Sequence, residues 1–370
     1  MMRRKCKVLF VTEAMGGGLF TYIVDLANEL VNTFDMYVAY AVRKQTPSDF
    51  KDYFDERIHL IEVRNFVRSI SPSRDIKAFF EIRKIACKVQ PDIIHLHSSK
   101  AGALGRWAFN GRKIPLFYTP NGYSFLMQNC SGIKRALYKG IEIMCGWRSC
   151  MTISCSEGEH KETLKLTKCA AYVNNGINVK KLEELICSIG STKKEIFTVF
   201  THGRICSQKN PKLFNRIALA MPDVQFMWIG DGELREELSA PNIRVTGWVE
   251  RRLALQYSMQ GDVFMLTSLW EGLPLSLLEA MYMRKLCIVS DTIGNRDVIH
   301  SGYNGYVCRK IDEFVKAIRK AQDEDISELL EKAYSDIICV YNTDVMSEKY
   351  SEIYIDEFNS KKSGGGYNIK

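Results

Sequence analysis

Two pairs of charged residues in the second half of the chain have the types and spacing to handle an anionic ligand. Arg204 and Lys209 lie in one short segment, His202-Gly203-Arg204 through Lys209-Asn210-Pro211. Arginine offers a planar fork of donors and lysine a compact point charge, so two such cations on one loop can flank a diphosphate. They can equally be solvated loop cations. Glu271 and Glu279 have seven residues between them, in Ser268-Leu269-Trp270-Glu271-Gly272-Leu273-Pro274 and the apolar stretch that follows. Pro274 fits the first position of a helix. Glu271 then sits in the preceding loop, and the N–H groups of Gly272, Leu273 and Leu275 lie near a helix N-terminus, where a phosphate is favoured. Glu279 falls in the second turn, among Leu275, Leu277, Leu278, Ala280, Met281 and Met283. A buried carboxylate costs several kcal/mol, roughly, unless it accepts hydrogen bonds. Ribose hydroxyls would supply them, and so would a salt bridge to an Arg or Lys elsewhere.

A second candidate phosphate site opens the chain. Cys6–Thr12 reads as a strand, followed by Gly16-Gly17-Gly18 and a helical pattern with Phe20, Ile23, Val24, Leu26, Ala27, Leu30 and Val31. Glycines at a strand–helix turn let backbone N–H groups approach a phosphate; a plain tight turn uses them too. The spacing is not Gly-x-Gly-x-x-Gly, and the next strand candidate, Met36–Val42, ends in Arg43-Lys44 rather than an acidic residue for a ribose. A nicotinamide dehydrogenase is not expected.

These residues must be held by strands, and the chain supplies them. Further apolar runs fall at Ile58–Val63, Asp92–His97, Leu116–Thr119, Met151–Ser154, Ala171–Val173, Phe197–Thr201, Gln225–Ile229, Ile243–Thr246, Val263–Thr267 and Leu286–Ser290, with helical stretches between them. Runs this apolar suit parallel strands buried on both faces. The pattern predicts an α/β protein of two doubly wound domains, a division that 370 residues also favour. Gly190-Ser191-Thr192-Lys193-Lys194 has linker composition. The last helix, about 344–358, carries Val345, Met346, Tyr350, Ile353, Tyr354 and Phe358 at helical spacing and needs a surface to cover. The tail, 361–370, is expected to be disordered.

The net charge of +8 is spread along the chain and suits an anionic substrate or a membrane surface. No zinc-finger, RNA-recognition or basic-plus-heptad pattern occurs, so a nucleic-acid partner is not expected. The twelve cysteines include no Cys-x-x-Cys pair, and Cys145, Cys150 and Cys155 merely recur every five residues, so no zinc site is expected. Met1-Met2-Arg3-Arg4-Lys5 lacks the pattern of a secretory signal. Reduced, buried cysteines in a cytoplasmic protein are the expectation. No segment reaches the roughly 20 apolar residues that span a bilayer.

In order along the chain, Gly16–Gly18, Asp92–Gly102, Thr119–Phe125, Asn175-Gly176-Ile177, Gly203–Lys209, Gly230-Asp231-Gly232 and Ser268–Met281 resemble the motifs of the family-four retaining glycosyltransferases, which have the GT-B fold. The resemblance covers most of the chain. It implies two Rossmann-like domains facing a central cleft: residues 1–180 on the acceptor side, joined by a returning helix at 344–360, and residues 195–343 binding the nucleotide sugar. It implies that Arg204 and Lys209 bind the donor diphosphate and stabilise the leaving group. Glu271, with the backbone of Gly272, Leu273, Pro274 and Leu275, holds sugar and phosphate, and Glu279 binds the ribose. Gly230 and Gly247-Trp248-Val249 border the nucleotide, and Gly17 and Gly18 approach the phosphate from the other domain.

One departure concerns the reacting sugar. The family usually has His where this chain has Asn121, which exchanges hydrogen bonds but cannot titrate. His97 and Lys100 are then the remaining polar candidates on the acceptor side, although a lone His is more often structural. The reaction implied is transfer of a hexose-type sugar from a nucleotide diphosphate, a UDP-sugar in particular, to a glycan or lipid-linked acceptor in polysaccharide synthesis. It proceeds with retention and with neither metal nor cofactor, because cations and helix ends hold the diphosphate. Nucleotide-sugar epimerase and non-catalytic nucleotide-sugar-binding subunit are the alternatives. Basic residues Arg64, Arg68, Arg74, Lys77, Arg83, Lys84 and Lys88, then Lys134, Arg135, Lys139 and Arg148, fit either an anionic membrane or ordinary solvated helix faces. Ile133, Leu137, Ile141 and Met144 have amphipathic helical spacing beside the second group.

Overall fold

The computed structural model describes residues 4–13, 15–43, 46–67, 69–190 and 196–363. Readings that fell on Met1–Arg3, Lys44, Arg68, 191–194 and the tail from 364 lie outside the described residues. The chain forms two compact units. The first gathers the chain up to Leu126, Ser131–Asn175 and the stretch from Thr343 onward; the second takes Met127–Cys130 and Gly176–Asn342.

The first unit is built on strands β1 (Lys7–Thr12), β2 (Asp35–Tyr40), β3 (His59–Glu62), β4 (Ile93–His97), β5 (Leu116–Thr119), β6 (Met151–Ser154) and β7 (Ala170–Tyr172). They pair in parallel in the order β3-β2-β1-β4-β5-β6-β7. All five residues of β4, Ile-Ile-His-Leu-His, are buried, as a central strand covered on both faces requires. Leu9, Val11, Ile94 and Leu96 face a core shared with Ala78 and Ile82 of helix Pro72–Val89. His95 and His97, two residues apart, face the other side with Phe10.

That second side is covered by helix Gly17–Leu30 and by the last helix, Thr343–Lys362. The last helix belongs to the first unit although 167 residues, Gly176–Asn342, intervene. Its inward positions are Met346, Tyr350 and Tyr354. The Tyr350 and Tyr22 hydroxyls lie 2.7 Å apart. Tyr354 bonds to His95 Nδ1, whose Nε2 lies 2.8 Å from Thr119 Oγ1. Burial lifts the pKa of all three tyrosines, so they stay neutral donors.

The second unit has β8 (Thr198–His202), β9 (Gln225–Ile229), β10 (Ile243–Val245), β11 (Val263–Leu266), β12 (Leu286–Ser290) and β13 (Tyr306–Cys308), in the parallel order β10-β9-β8-β11-β12-β13. Val199, Phe226, Trp228, Met265 and Ile288 pack on Phe214 and Ile217 of helix Pro211–Ala220 and on Phe314 and Ile318 of helix Ile311–Asp323. Phe200 and Phe264 meet edge-on at 5.5 Å on another side of the same strands.

Several details depart from expectation. Strand β13, Tyr-Val-Cys, falls outside the apolar runs of the sequence reading, bounded as it is by Gly305 and Arg309. Gly190 is not linker: it caps helix Val179–Ile189 with φ +75°, and that helix lies wholly in the second unit. The unit boundary at Asn175/Gly176 therefore assigns Gly176–Lys180 to the second unit rather than to the first. Pro274 is the N-cap of helix Leu275–Tyr282, with extended backbone, rather than its first residue. All twelve cysteines are free, but Cys87, Cys187 and Cys339 are exposed rather than buried.

Candidate active site

β8 and β11 are neighbours at the centre of the second sheet, yet the chain leaves β8 toward β9 on one side and β11 toward β12 on the other. Strand order reverses there, and open α/β sheets bind ligands outside the carboxyl ends of the strands at such a point. Arg204 and Lys209 follow β8, and Glu271 follows β11. The fold thus brings together residues more than 60 positions apart.

The contacts are direct. Lys209 Nζ lies 2.8 Å from Glu271 Oε1, with the two side chains 17% and 8% exposed. Ser268 Oγ donates to the same oxygen at 2.7 Å, and Gln208 Nε2 donates to Oε2 at 3.2 Å and to the Trp270 carbonyl at 3.0 Å. Glu271 is therefore a carboxylate held by three donors. The loops are tied as firmly. Leu269 N donates to Gln208 O at 2.8 Å, and Thr267 Oγ1 donates to Lys209 O at 2.8 Å. Asn210 takes φ +51°, which asparagine tolerates, so that Pro211 can open the next helix.

Glycines set the approach of the other loops. Trp228 Nε1 donates to the Gly203 carbonyl at 2.8 Å, and a Cβ on Gly230 would stand 2.3 Å from that oxygen. Gly230, with φ +137°, is needed for both conformation and space. Likewise Gly294, with φ +83°, backs onto the Gly272 carbonyl, 2.1 Å from where its Cβ would be. Leu273, Pro274 and Leu275 are buried, so this loop presents backbone at the start of helix Leu275–Tyr282.

Other expected residues lie differently. Arg204 is part-exposed and pairs with Glu233, Nε to Oε2 at 3.0 Å. Trp248 is 67% exposed, while Val249 beside it is half-buried. Glu279 is buried, but both its oxygens face Arg251: Nη1 donates to Oε2 at 2.9 Å and Nη2 bonds to Oε1. Of the two ways to satisfy this carboxylate, the structure contains the salt bridge. Arg251 opens helix Arg251–Gln260, three residues after Trp248, and was missed because nothing in its spacing marks it. Gln208 and Ser268 were missed too, although both flank residues already singled out. His202, at the end of β8, has its pKa pushed down to about 4 by burial, against the pull of Glu279. It stands neutral at pH 7.

In the first unit, Gly17 opens helix Gly17–Leu30 with φ +60°, and a Cβ on Gly17 or Gly18 would meet nothing within 4 Å. The glycine turn is thus bare and open. Asn121 takes φ +53°, and Gly122 N donates to Glu159 Oε1 at 2.7 Å. His97 corrects the expectation of a polar active-site role. It is wholly buried between Phe10, Tyr22 and His95, and burial drives its pKa down to about 3. A neutral ring enclosed in this way meets no substrate in this conformation. Lys100 is paired with Asp75 at 2.6 Å and donates to Ser69 O at 2.5 Å. Glu13, unremarked in the sequence, is buried between Arg43 and Ser98 at the carboxyl ends of β1 and β4. Among the described residues, no group of three or more His, Cys, Asp or Glu is placed to hold a metal ion.

The family model described as Glycosyltransferase Family 4 matches residues 16–181, and that described as Glycosyl transferases group 1 matches residues 197–324. The chain is 30% identical over 340 residues, 82% of its length and 86% of the relative's, to the UDP-Gal:alpha-D-GlcNAc-diphosphoundecaprenol alpha-1,3-galactosyltransferase of Escherichia coli. The chain belongs to glycosyltransferase family 4. A second relative of this glycosyltransferase, 24% identical over 77% of the chain and 82% of its own length, is the N,N'-diacetylbacillosaminyl-diphospho-undecaprenol alpha-1,3-N-acetylgalactosaminyltransferase of Campylobacter jejuni. Its fold is shared with Anabaena HepE solved in complex with UDP and glucose, at a TM-score of 0.76 and 16% identity over 95% of this chain and all of that one. The sucrose-phosphate synthase of Thermosynechococcus elongatus gives 0.81 and 15% over 96% of this chain and all of that one. These likenesses establish the GT-B fold. Among the described residues no helix is long and apolar enough to cross a membrane.

Proposed function

We propose that this glycosyltransferase moves a hexose-type sugar from a UDP-sugar to a lipid-diphosphate-linked saccharide, in the assembly of a surface polysaccharide. The observation that carries the reading is the Lys209–Glu271 pair at the point where strand order reverses in the second unit. Lys209 and Arg204 meet the diphosphate, and departing charge on the nucleotide is what they stabilise. Glu271, held by Ser268 and Gln208, receives the sugar hydroxyls; Gly272 and Leu273 offer backbone N–H groups to the phosphate at the helix start. Glu279, oriented by Arg251, accepts from the ribose. Gly230 and Trp248 border the nucleotide, Gly17 and Gly18 are the first unit's candidates for the donor phosphate, and Asn121 is its candidate near the reacting sugar.

Two finer points belong to the same reading. Transfer proceeds with retention, the donor's phosphate oxygen helping to deprotonate the acceptor hydroxyl on the face from which the nucleotide leaves. It requires no divalent metal or cofactor, since protein cations meet the diphosphate. The relatives named above act on undecaprenyl-diphosphate-linked sugars by their names; a like acceptor would support the reading of a peripheral protein at the cytoplasmic face of the membrane.

The test is incubation of purified protein with labelled UDP-sugars and a lipid-diphosphate-linked saccharide, with and without a chelator. Label in the lipid product, undiminished by the chelator and in the donor's anomeric configuration by proton coupling, is expected. Conversion of the sugar without transfer would indicate an epimerase, and binding alone a non-catalytic subunit.

A further inference from the structure

Both cations read as diphosphate ligands already have carboxylate partners, and the two pairs are built differently. Glu271, the partner of Lys209, is 8% exposed and also accepts from Ser268 and Gln208. Moving it would strand a buried charge. Glu233, the partner of Arg204, is 51% exposed. Arg204 Nη2 lies 2.9 Å from Glu233 Oε2, and Nε donates to the same oxygen at 3.0 Å. Arg204 is its one side-chain partner among the described residues. The Nε–Nη2 edge is one of the two guanidinium edges that grip an oxyanion with paired donors. A carboxylate thus occupies a place that a phosphate would take.

The pairing is set by the backbone beneath it. The loops that follow β8 and β9 are bonded along their length: Gly203 N donates to Ile229 O at 2.9 Å, Ile205 N to Asp231 O at 2.9 Å and Leu234 N to Ile205 O at 3.3 Å. Arg204 and Glu233 are therefore carried on adjoining segments. Asp231, the other acid of the Gly230–Glu233 turn, is committed elsewhere: it accepts from Gly232 N at 2.8 Å and from Arg235 at 2.9 Å. Glu233 alone in this turn faces the guanidinium. An exposed ion pair is weak, so it orients Arg204 yet gives way to a ligand of higher charge. A diphosphate brought to Arg204 with Glu233 still on it would set like charges side by side.

We propose that Glu233 is a displaceable stand-in for the donor diphosphate on Arg204. It yields the guanidinium when the nucleotide sugar binds and takes it back as the UDP product leaves. Glu233 thereby lowers the affinity for both nucleotides and eases product release, while Glu271 stays on Lys209 throughout. The inference rests on the reading of Arg204 as a diphosphate ligand, and Arg204→Ala tests that reading separately.

The test is calorimetric titration of UDP into the full chain and into E233Q, R204A, R204A/E233Q and E236Q. Glu236, exposed three residues further on, controls for a general change of charge. E233Q should bind UDP about three- to tenfold more tightly than wild type at low salt, and the gain should shrink at high salt because the pair is exposed. R204A should bind at least about tenfold less tightly. R204A/E233Q should match R204A to within about twofold, since Glu233 acts through Arg204. E236Q should match wild type to within about twofold. The substituted side chains are exposed or part-exposed, so thermal midpoints near that of wild type are expected. Unchanged affinity in E233Q beside a loss in R204A would overturn this proposal and leave the diphosphate reading standing; unchanged affinity in R204A would overturn both. Weaker binding by E233Q, the sign expected if the carboxylate met the diphosphate through a metal ion, would also overturn the proposal. So would a gain that E236Q reproduces or that R204A/E233Q keeps in full.

Discussion

Glu271 shows how a residue's chemistry depends on what the fold brings to it. Lys209, Ser268 and Gln208 hold its two oxygens in place, and Lys209 in turn has a partner before any ligand arrives. Lys209→Ala should lower kcat/KM by about 10²–10³-fold, the usual loss on removing one group that stabilises developing charge. It also strands a nearly buried carboxylate, so the melting temperature should fall as well. Glu279 and Arg251 act as one unit. Each alanine variant should weaken UDP binding by roughly tenfold, and the double variant no more than either single, because both remove the same pair. Calorimetric titration of UDP into the three variants checks this; additive losses would separate the two residues. The charged residues of this site were legible because Arg, Lys and Glu at strand ends are conspicuous. Arg251 was not, since a salt bridge between residues 28 positions apart leaves no trace in local spacing.

At the scale of elements, the final helix carries the most consequence. Its spacing announced that it must cover something, and Met346, Tyr350 and Tyr354 do face inward. Illegible was that its contact is polar: a tyrosine–histidine–threonine network instead of aliphatic packing. Tyr350→Phe and Tyr354→Phe should each cost about 1–3 kcal/mol, because the Tyr22 hydroxyl in the first and His95 Nδ1 in the second are left buried without this partner. Urea titration measures both. Strands of four to six apolar residues were read nearly to their ends, whereas β13 and helix Val179–Ile189 were passed over. The first is closely bounded by Gly305 and Arg309, and the second runs into a stretch whose composition suggests a linker.

Across the whole molecule, histidines with depressed pKa make acid stability predictable. Burial pushes the pKa of His97 down to about 3 and that of His202 down to about 4, and lowers that of His95 too, against an ordinary value near 6.5. Their folded pKa is depressed, so above pH 6.5 both states are neutral and the full stability is present. As pH falls from 6.5 toward 3, the unfolded chain binds protons that the folded chain refuses, and stability drops by several kcal/mol, to order of magnitude. His97→Phe should move the acid unfolding midpoint, followed by circular dichroism, to lower pH if the larger ring is accommodated beside Phe10 and Tyr22. The GT-B fold and the family make sugar transfer the molecule's task, and the proposed reading centres it on Lys209 and Glu271. The most direct test is transfer of label from a panel of UDP-sugars to a lipid-diphosphate-linked saccharide by wild type, Lys209→Ala and Glu271→Ala, all confirmed folded. Transfer by wild type, and its loss by about two orders of magnitude or more in both variants, is the predicted result. Undiminished transfer by either variant would contradict the assignment.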